Sequence, residues 1–302
     1  MDILGWLNTL PGAAAQGMIW GIMAIGVFIT YKILDIADLT VDGSICTGAA
    51  VSAVLITNGI NPWVAILLSV AAGMLAGLIT GLFHAFMGIP AILSGILTQL
   101  ILWSLNLKIM GKANIALSVR SFNLIIAQVY SVKTLIILAA FVIIIIALLY
   151  WFFGTELGAS LRATGNNLYM SRAQGINTGL AKVIGLMISN GIVALSGALL
   201  AQYSGAADIN MGRGAIVIGL AAVIIGEALF SKMSTGFILR LLGVVIGGII
   251  YYFVYQTVIF LGLDADLLKM LSAVIVALFL GLPYLKKTYF RGKSKGGSRK
   301  NA

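Results

Sequence analysis

Hydrophobic and polar positions along this chain separate into long apolar runs and short polar interruptions. Nine apolar runs lie near 12–34, 43–58, 62–87, 90–108, 132–153, 181–204, 213–230, 237–262 and 267–284. A hydrocarbon core about 30 Å thick takes roughly 20 apolar residues per helix, and most of these runs approach that length. None alternates residue by residue as a barrel strand does. Backbone groups in lipid must be satisfied within the protein. The pattern therefore predicts an all-α polytopic membrane protein with about nine transmembrane helices (range eight to ten), in a single domain over 1–285.

The run at 43–58 departs from the rest. It is short, and it follows Asp35, Asp38 and Asp42, three acids beside apolar helix. Non-helical backbone at membrane depth needs cover from protein or a water-filled cavity. A broken or short helix is expected near 38–58, with Asp42 or Ser44 capping the part that resumes.

Two polar stretches, 109–131 and 154–181, are too hydrophilic to span. The second reads as short helix, turn, short helix. Leu157, Leu161, Tyr169 and Met170 offer an apolar face and Arg162 and Arg172 a polar one, the pattern of an amphipathic element lying along the membrane surface. Glycines recur four apart at Gly17 and Gly21, at Gly73, Gly77 and Gly81, and at Gly243 and Gly247. That spacing lets helix backbones approach closely, inside one bundle or across a dimer face.

Composition agrees with the pattern. Of 302 residues, 61% are hydrophobic and 9% charged, against about 25% charged in soluble domains. The net charge is +10, and seven of the nineteen bases fall in 286–302. This basic tail is expected to be disordered and cytoplasmic on the positive-inside rule; nucleic-acid or lipid binding is the other reading of such a run, and no nucleic-acid partner is expected. With the tail inside, nine spans place the amino end outside. Lys32, Arg162, Arg172, Lys182, Lys232 and Arg240 then join the tail inside, and Lys108, Lys112, Arg120, Lys133, Arg213 and Lys269 lie outside. Without the tail the two sides are equal. The first ten residues hold no base, so no cleavable signal is expected.

Catalytic chemistry finds little material. Cys46 is the single cysteine and His84 the single histidine, so a disulfide, a thiol cluster and an imidazole metal site are all unexpected. His84 reads as a helix-end or packed polar residue. Gly292-Lys293-Ser294 resembles the end of a phosphate loop, but Lys287 stands where its first glycine belongs. No catalytic residue, metal or bound cofactor is expected, and any ATP would be held by another chain. Ionisable residues within apolar segments are functional candidates. Asp38 and Asp42 read as lining a hydrophilic path or as caps. Glu227 reads as facing the pathway, contacting a partner, or snorkelling at a helix end, and Arg240 reads as snorkelling.

Three stretches carry a resemblance: Ala37-Asp38-Leu39-Thr40-Val41-Asp42-Gly43-Ser44, then Gly158 through Asn167 followed by Ser171 through Asn177, and Ala215 through Gly226. The chain resembles the permease subunits of bacterial ABC importers of the branched-chain amino acid and ribose type. The second stretch is the most specific: a Gly165-Asn166 pair, then Gly175-Ile176-Asn177 about ten residues on. The resemblance covers most of 15–285. It implies that 154–181 is a cytoplasmic coupling element docking into a separate ATPase subunit, through Gly158, Arg162, Gly165, Asn166, Arg172, Gly175 and Asn177. Asp38, Thr40, Asp42, Ser44 and Glu227 are the candidate pathway or broken-helix residues, Glu227 standing where many sugar-type relatives have another small or polar residue. ATP and Mg would sit on the ATPase, a substrate-binding protein would deliver solute from outside, and a second permease copy or paralogue would complete the pathway in the bacterial cytoplasmic membrane. The absence of the ribose branch's extra amino-terminal helix, with the acid-rich broken element, looks closest to amino-acid uptake, aromatic amino acids included; sugars and nucleosides stay open. A self-contained secondary carrier or channel is the alternative, and a membrane enzyme a further one. On this reading, Gly165→Trp or Arg172→Glu is expected to weaken ATPase docking and leave the bundle folded.

Overall fold

The computed structural model describes residues 3–119, 121–128, 131–230 and 236–261, with isolated positions between 270 and 281. Its helices are α1 (Ile3–Phe28, extended by a π-helical turn at Ile29–Ile33), α2 (Thr40–Thr57), α3 (Pro62–Ala85), α4 (Ala91–Met110), α5 (Ser131–Gly154), α6 (Glu156–Asn166), α7 (Leu168–Ala173), α8 (Thr178–Ser204), α9 (Ala215–Phe230) and α10 (Phe237–Phe260). Two short strands, β1 (Asn114–Ala116) and β2 (Ala206–Asp208), pair antiparallel. Eight of the nine apolar runs are helices. The ninth, 267–284, and the basic tail lie outside the described residues, apart from those isolated positions. Seven helices are long and apolar enough to cross a membrane, and α9 is a shorter apolar helix. The protein is a multi-pass membrane protein.

Part of the bundle repeats one arrangement in opposite directions, α1–α3 corresponding to α8–α10. Gly21-Ile22 and, further on, Ala37-Asp38-Leu39 recur at one constant offset as Gly191-Ile192 and Ala207-Asp208-Ile209. In each copy a long helix ends, the chain leaves helical form, and a second helix begins. The long helices α1 and α8 lie antiparallel: the Tyr203 hydroxyl donates to the Gly12 carbonyl, Ser196 to Ile19 and Ser189 to Gly26. α3 packs on α8 as α10 packs on α1.

Glycine sets the spacing of these contacts. A methyl at Gly17 would stand 2.6 Å from Ile249 Cα, and one at Gly48 would run into the Ala194 carbonyl. The same holds for Gly73 and Gly77 on α3 against α8. The small-residue pattern is thus used within the bundle. α2 is the most enclosed short helix: Gly43, Ser44, Thr47, Gly48, Ala49, Ala50, Ser52 and Ala53 are all buried. Small side chains let it sit among α3, α4 and α8. Gly48→Val is therefore expected to destabilise the bundle by at least about 1–3 kcal/mol, the usual penalty of overpacking. A lower midpoint of thermal unfolding in detergent, read by size-exclusion chromatography after heating, checks this; an unchanged midpoint refutes it.

Candidate functional site

The sequence expects a break before α2, and the structure shows how it is held. α1 loosens into a π-helical turn, a feature of strained or functional helix ends, and Asp35 then takes a left-handed φ of 55°, which aspartate tolerates better than most residues. Residues 36–39 return into the bundle without regular structure, ending in a turn at Leu39. Asp38 is 2% exposed. Its Oδ1 accepts from the Thr40 amide at 2.9 Å and its Oδ2 from Asn190 Nδ2 at 2.7 Å. Asn190 also donates to the Leu186 carbonyl and accepts from Ser44 Oγ at 2.6 Å. Every polar group of this buried cluster is partnered, the condition for placing it away from water. Thr40 shares a 2.8 Å hydroxyl contact with Thr80 of α3.

This corrects the capping expectation. Neither Asp42 nor Ser44 caps α2; Asp38 satisfies its first amide. Asp42 instead serves the other copy of the repeat. Its carboxylate accepts from the Gly214 and Ile216 amides, both at 2.9 Å, at the start of α9. Asp42's counterpart by the repeat offset is Gly212, and a methyl there would meet the Asp42 carbonyl. The two re-entrant turns therefore touch backbone to backbone. Asp208, counterpart of Asp38, makes the same local turn, accepting from the Asn210 amide at 2.7 Å. Cys46 Sγ donates to the Ile209 carbonyl and accepts from the Gly212 amide, both at 3.2 Å.

Glu227 does not join this group. It pairs with Lys32 at 2.9 Å, tying α9 to the π turn of α1, and both side chains are part-exposed, so the pair stabilises little. The pair holds Glu227 at the Lys32 end of the bundle, apart from the Asp38 cluster. His84 ends α3, with Nδ1 on the Ile89 carbonyl and Nε2 3.2 Å from Lys182 Nζ.

The 154–181 stretch folds as helix, turn, helix. Thr155 caps α6, Asn167 caps α7 through the Tyr169 and Met170 amides, and Asn177 caps α8. Gly158 packs on the Phe152–Phe153 backbone and Gly165 on the Ile33 carbonyl, while Gly175 has φ +80°. The motif thus decodes into two close approaches, one left-handed turn and two caps. Asn167, outside the expected set, is the second cap; Asn166 is exposed. Leu161 is buried in the bundle, whereas Leu157, Tyr169 and Met170 are exposed, Tyr169 at 84%. The expected single apolar face is therefore split between core and surface. Arg162 donates to the Phe153 carbonyl at 2.7 Å and Arg172 to Thr178 Oγ1 at 3.1 Å. Gly165→Trp cannot test docking with the bundle intact, since any side chain there collides with Ile33.

Among the described residues no three His, Cys, Asp or Glu side chains come together to hold a metal. The arrangement is a membrane bundle with a partnered polar centre, a re-entrant pair of helix starts, and an exposed helical platform at one end. It defines a transport-type membrane protein. A family described as "Branched-chain amino acid transport system / permease component" matches residues 10–282. The chain belongs to that family: it is a permease, not an enzyme. It is 44% identical over 274 residues to the tyrosine transport system permease protein of Clostridioides difficile, covering 91% of each chain. It is 34% identical to an uncharacterized protein of Rickettsia prowazekii, covering 93% of this chain and 99% of that one. It is 24% identical to the ribose import permease of Escherichia coli, covering 90% and 84%. No solved structure matches.

The polar centre makes a specific prediction. Asn190→Leu leaves the buried Asp38 carboxylate short of one partner, and hydrogen bonds to charged groups contribute about 1.5–3 kcal/mol. A loss of stability of that order is expected in chemical denaturation in micelles, and Asn190→Leu with wild-type stability would refute the role given to the cluster.

Proposed function

We propose that this permease is the membrane subunit of a bacterial ABC importer that carries an amino acid inward, aromatic amino acids being the favoured class. The observation that carries the solute class is the 44% identity to a tyrosine transport permease over 91% of both chains. The ribose permease is more distant at 24%, which ranks sugars lower. ATP and Mg belong to a separate ATPase subunit, a binding protein hands over the solute outside, and a second permease copy or a paralogue completes the pathway. The chain lies in the cytoplasmic membrane, amino end out and basic tail in. Lys32, Arg162, Arg172 and Lys182 gather at the α6–α7 end, which is then the inner one.

The α6–α7 platform is the docking element for the ATPase in this reading. Exposed Tyr169, Met170 and Leu157 supply apolar anchors of the kind that dominate interfaces. Gly165 against Ile33 gives a push on α6 a direct mechanical route to the end of α1. The permease contributes two packings of different stability, which ATP binding on the motor biases.

Membrane vesicles holding the permease, its ATPase and its binding protein are expected to take up labelled tyrosine only with ATP. Gradient-driven uptake by the purified permease alone would instead make it a secondary carrier. The paired substitution Tyr169→Ala and Met170→Ala is expected to weaken ATPase association about tenfold, the equivalent of roughly 1.4 kcal/mol, with the bundle intact. Undiminished co-purification would remove the platform from the docking role.

A further inference from the structure

A cavity of about 240 Å³ opens between α2, α4 and the chain entering α9. Its volume is that of about eight waters of liquid. Asp42, Cys46, Gln99, Trp103, Asn106 and Arg213 are among its lining residues. Arg213 directly precedes Gly214, whose amide is bonded to Asp42, so it stands beside the start of α9.

Asn106 is the telling residue. It is 0% exposed, and neither its amide nitrogen nor its carbonyl oxygen has a partner. A buried amide left without a hydrogen bond is costly, and α4 is otherwise largely apolar. Leucine would fill that place with no such cost. The amide offers both a donor and an acceptor to whatever enters the cavity. Asp42 is placed similarly. Its carboxylate faces the cavity while accepting from the Gly214 and Ile216 amides, with the Ala215 amide also directed at it. Arg213 is exposed and is in no ion pair among the described residues. Its guanidinium matches a carboxylate in a two-point fork. Trp103 adds an indole, 45% exposed, on the same wall.

We propose that this cavity is a solute station of the permease itself, one that recognises the zwitterionic head of a free α-amino acid. The solute carboxylate lies towards Arg213, its ammonium towards the negative charge of Asp42, Asn106 bridges the two, and an aromatic side chain lies along Trp103. Sugars present neither charge and would leave Arg213 unmatched. The inference rests on the amino-acid importer reading above. It also places the station where the two copies of the repeat touch, so a shift of α9 against α2 would change the distance between Arg213 and Asp42.

The test uses the full complex in proteoliposomes with saturating binding protein, and L-tyrosine as the solute. Asn106→Leu and Arg213→Gln are each expected to cut tyrosine taken up per ATP hydrolysed at least tenfold, with the ATPase still co-purifying. Asn106→Leu is also expected to raise the thermal unfolding midpoint, since it removes an unsatisfied polar group from the interior; a merely structural asparagine would give the opposite shift. Saturable binding of labelled tyrosine to the purified permease in nanodiscs should fall at least tenfold in both variants. Tyramine, which lacks the carboxylate, should compete at least tenfold more weakly than tyrosine. Wild-type uptake per ATP and wild-type binding in both variants would overturn the station while leaving the importer standing. A wild-type complex that carries ribose and no amino acid would overturn the importer reading first, and the zwitterion site with it.

Discussion

The first amides of a helix have no partner within that helix, and hydrocarbon offers no water to replace one. Helices that begin inside a membrane bundle must therefore borrow acceptors from elsewhere, and α2 and α9 both begin there. Asp38 supplies α2 from two residues upstream, and Asn190 holds Asp38 in place from the middle of α8. Asp42 supplies α9 from across the repeat. Much of the centre follows from these two carboxylates. They fix where the helices start, bring the re-entrant turns together at Asp42 and Gly212, and leave the space between α2, α4 and α9 that becomes the cavity.

The same constraint explains why the centre is built of small residues. Two chain reversals and two helix starts occupy a volume that a straight helix pair would fill with leucine. Gly43, Gly48 and Gly212 leave room in this crowding, and most of the buried positions of α2 are glycine, serine, threonine or alanine. A centre of this kind is bound by backbone contact and hydrogen bonds more than by apolar side-chain volume. Such contacts have discrete alternatives, as alternating access requires, because packed interfaces switch between arrangements more readily than they deform.

The platform and the centre share one physical connection. Gly165 of α6 sits on the Ile33 carbonyl, and Leu34, the next residue, packs near Gly185 of α8. From there the irregular chain at 35–37 leads to Asp38, which is bonded to Asn190. Contiguity of this kind is a physical route between the two. It places the least regular backbone of the described bundle, the π turn and Asp35, between the platform and the polar centre.

Apolar run length alone determined eight of the helices, the all-α class and the break before α2, because the cost of unpaired backbone in lipid leaves so few alternatives. The Gly-Asn and Gly-Ile-Asn spacing marked α6–α7 for the same local reason: caps and left-handed turns are properties of a few adjacent residues. The repeat was also legible, had Ala37-Asp38-Leu39 been set against Ala207-Asp208-Ile209. What the chain could not disclose by itself was who each polar group serves. Asp42 looked like a cap for its own helix and caps another; Glu227 was open between pathway, partner and helix-end readings and pairs with Lys32; Gly165 looked tolerant and lies against a carbonyl. Asn106 looked like one polar residue in an apolar helix and is buried without a partner. Those assignments depend on residues that are distant in sequence, and only the packing of one helix start against the other decided them.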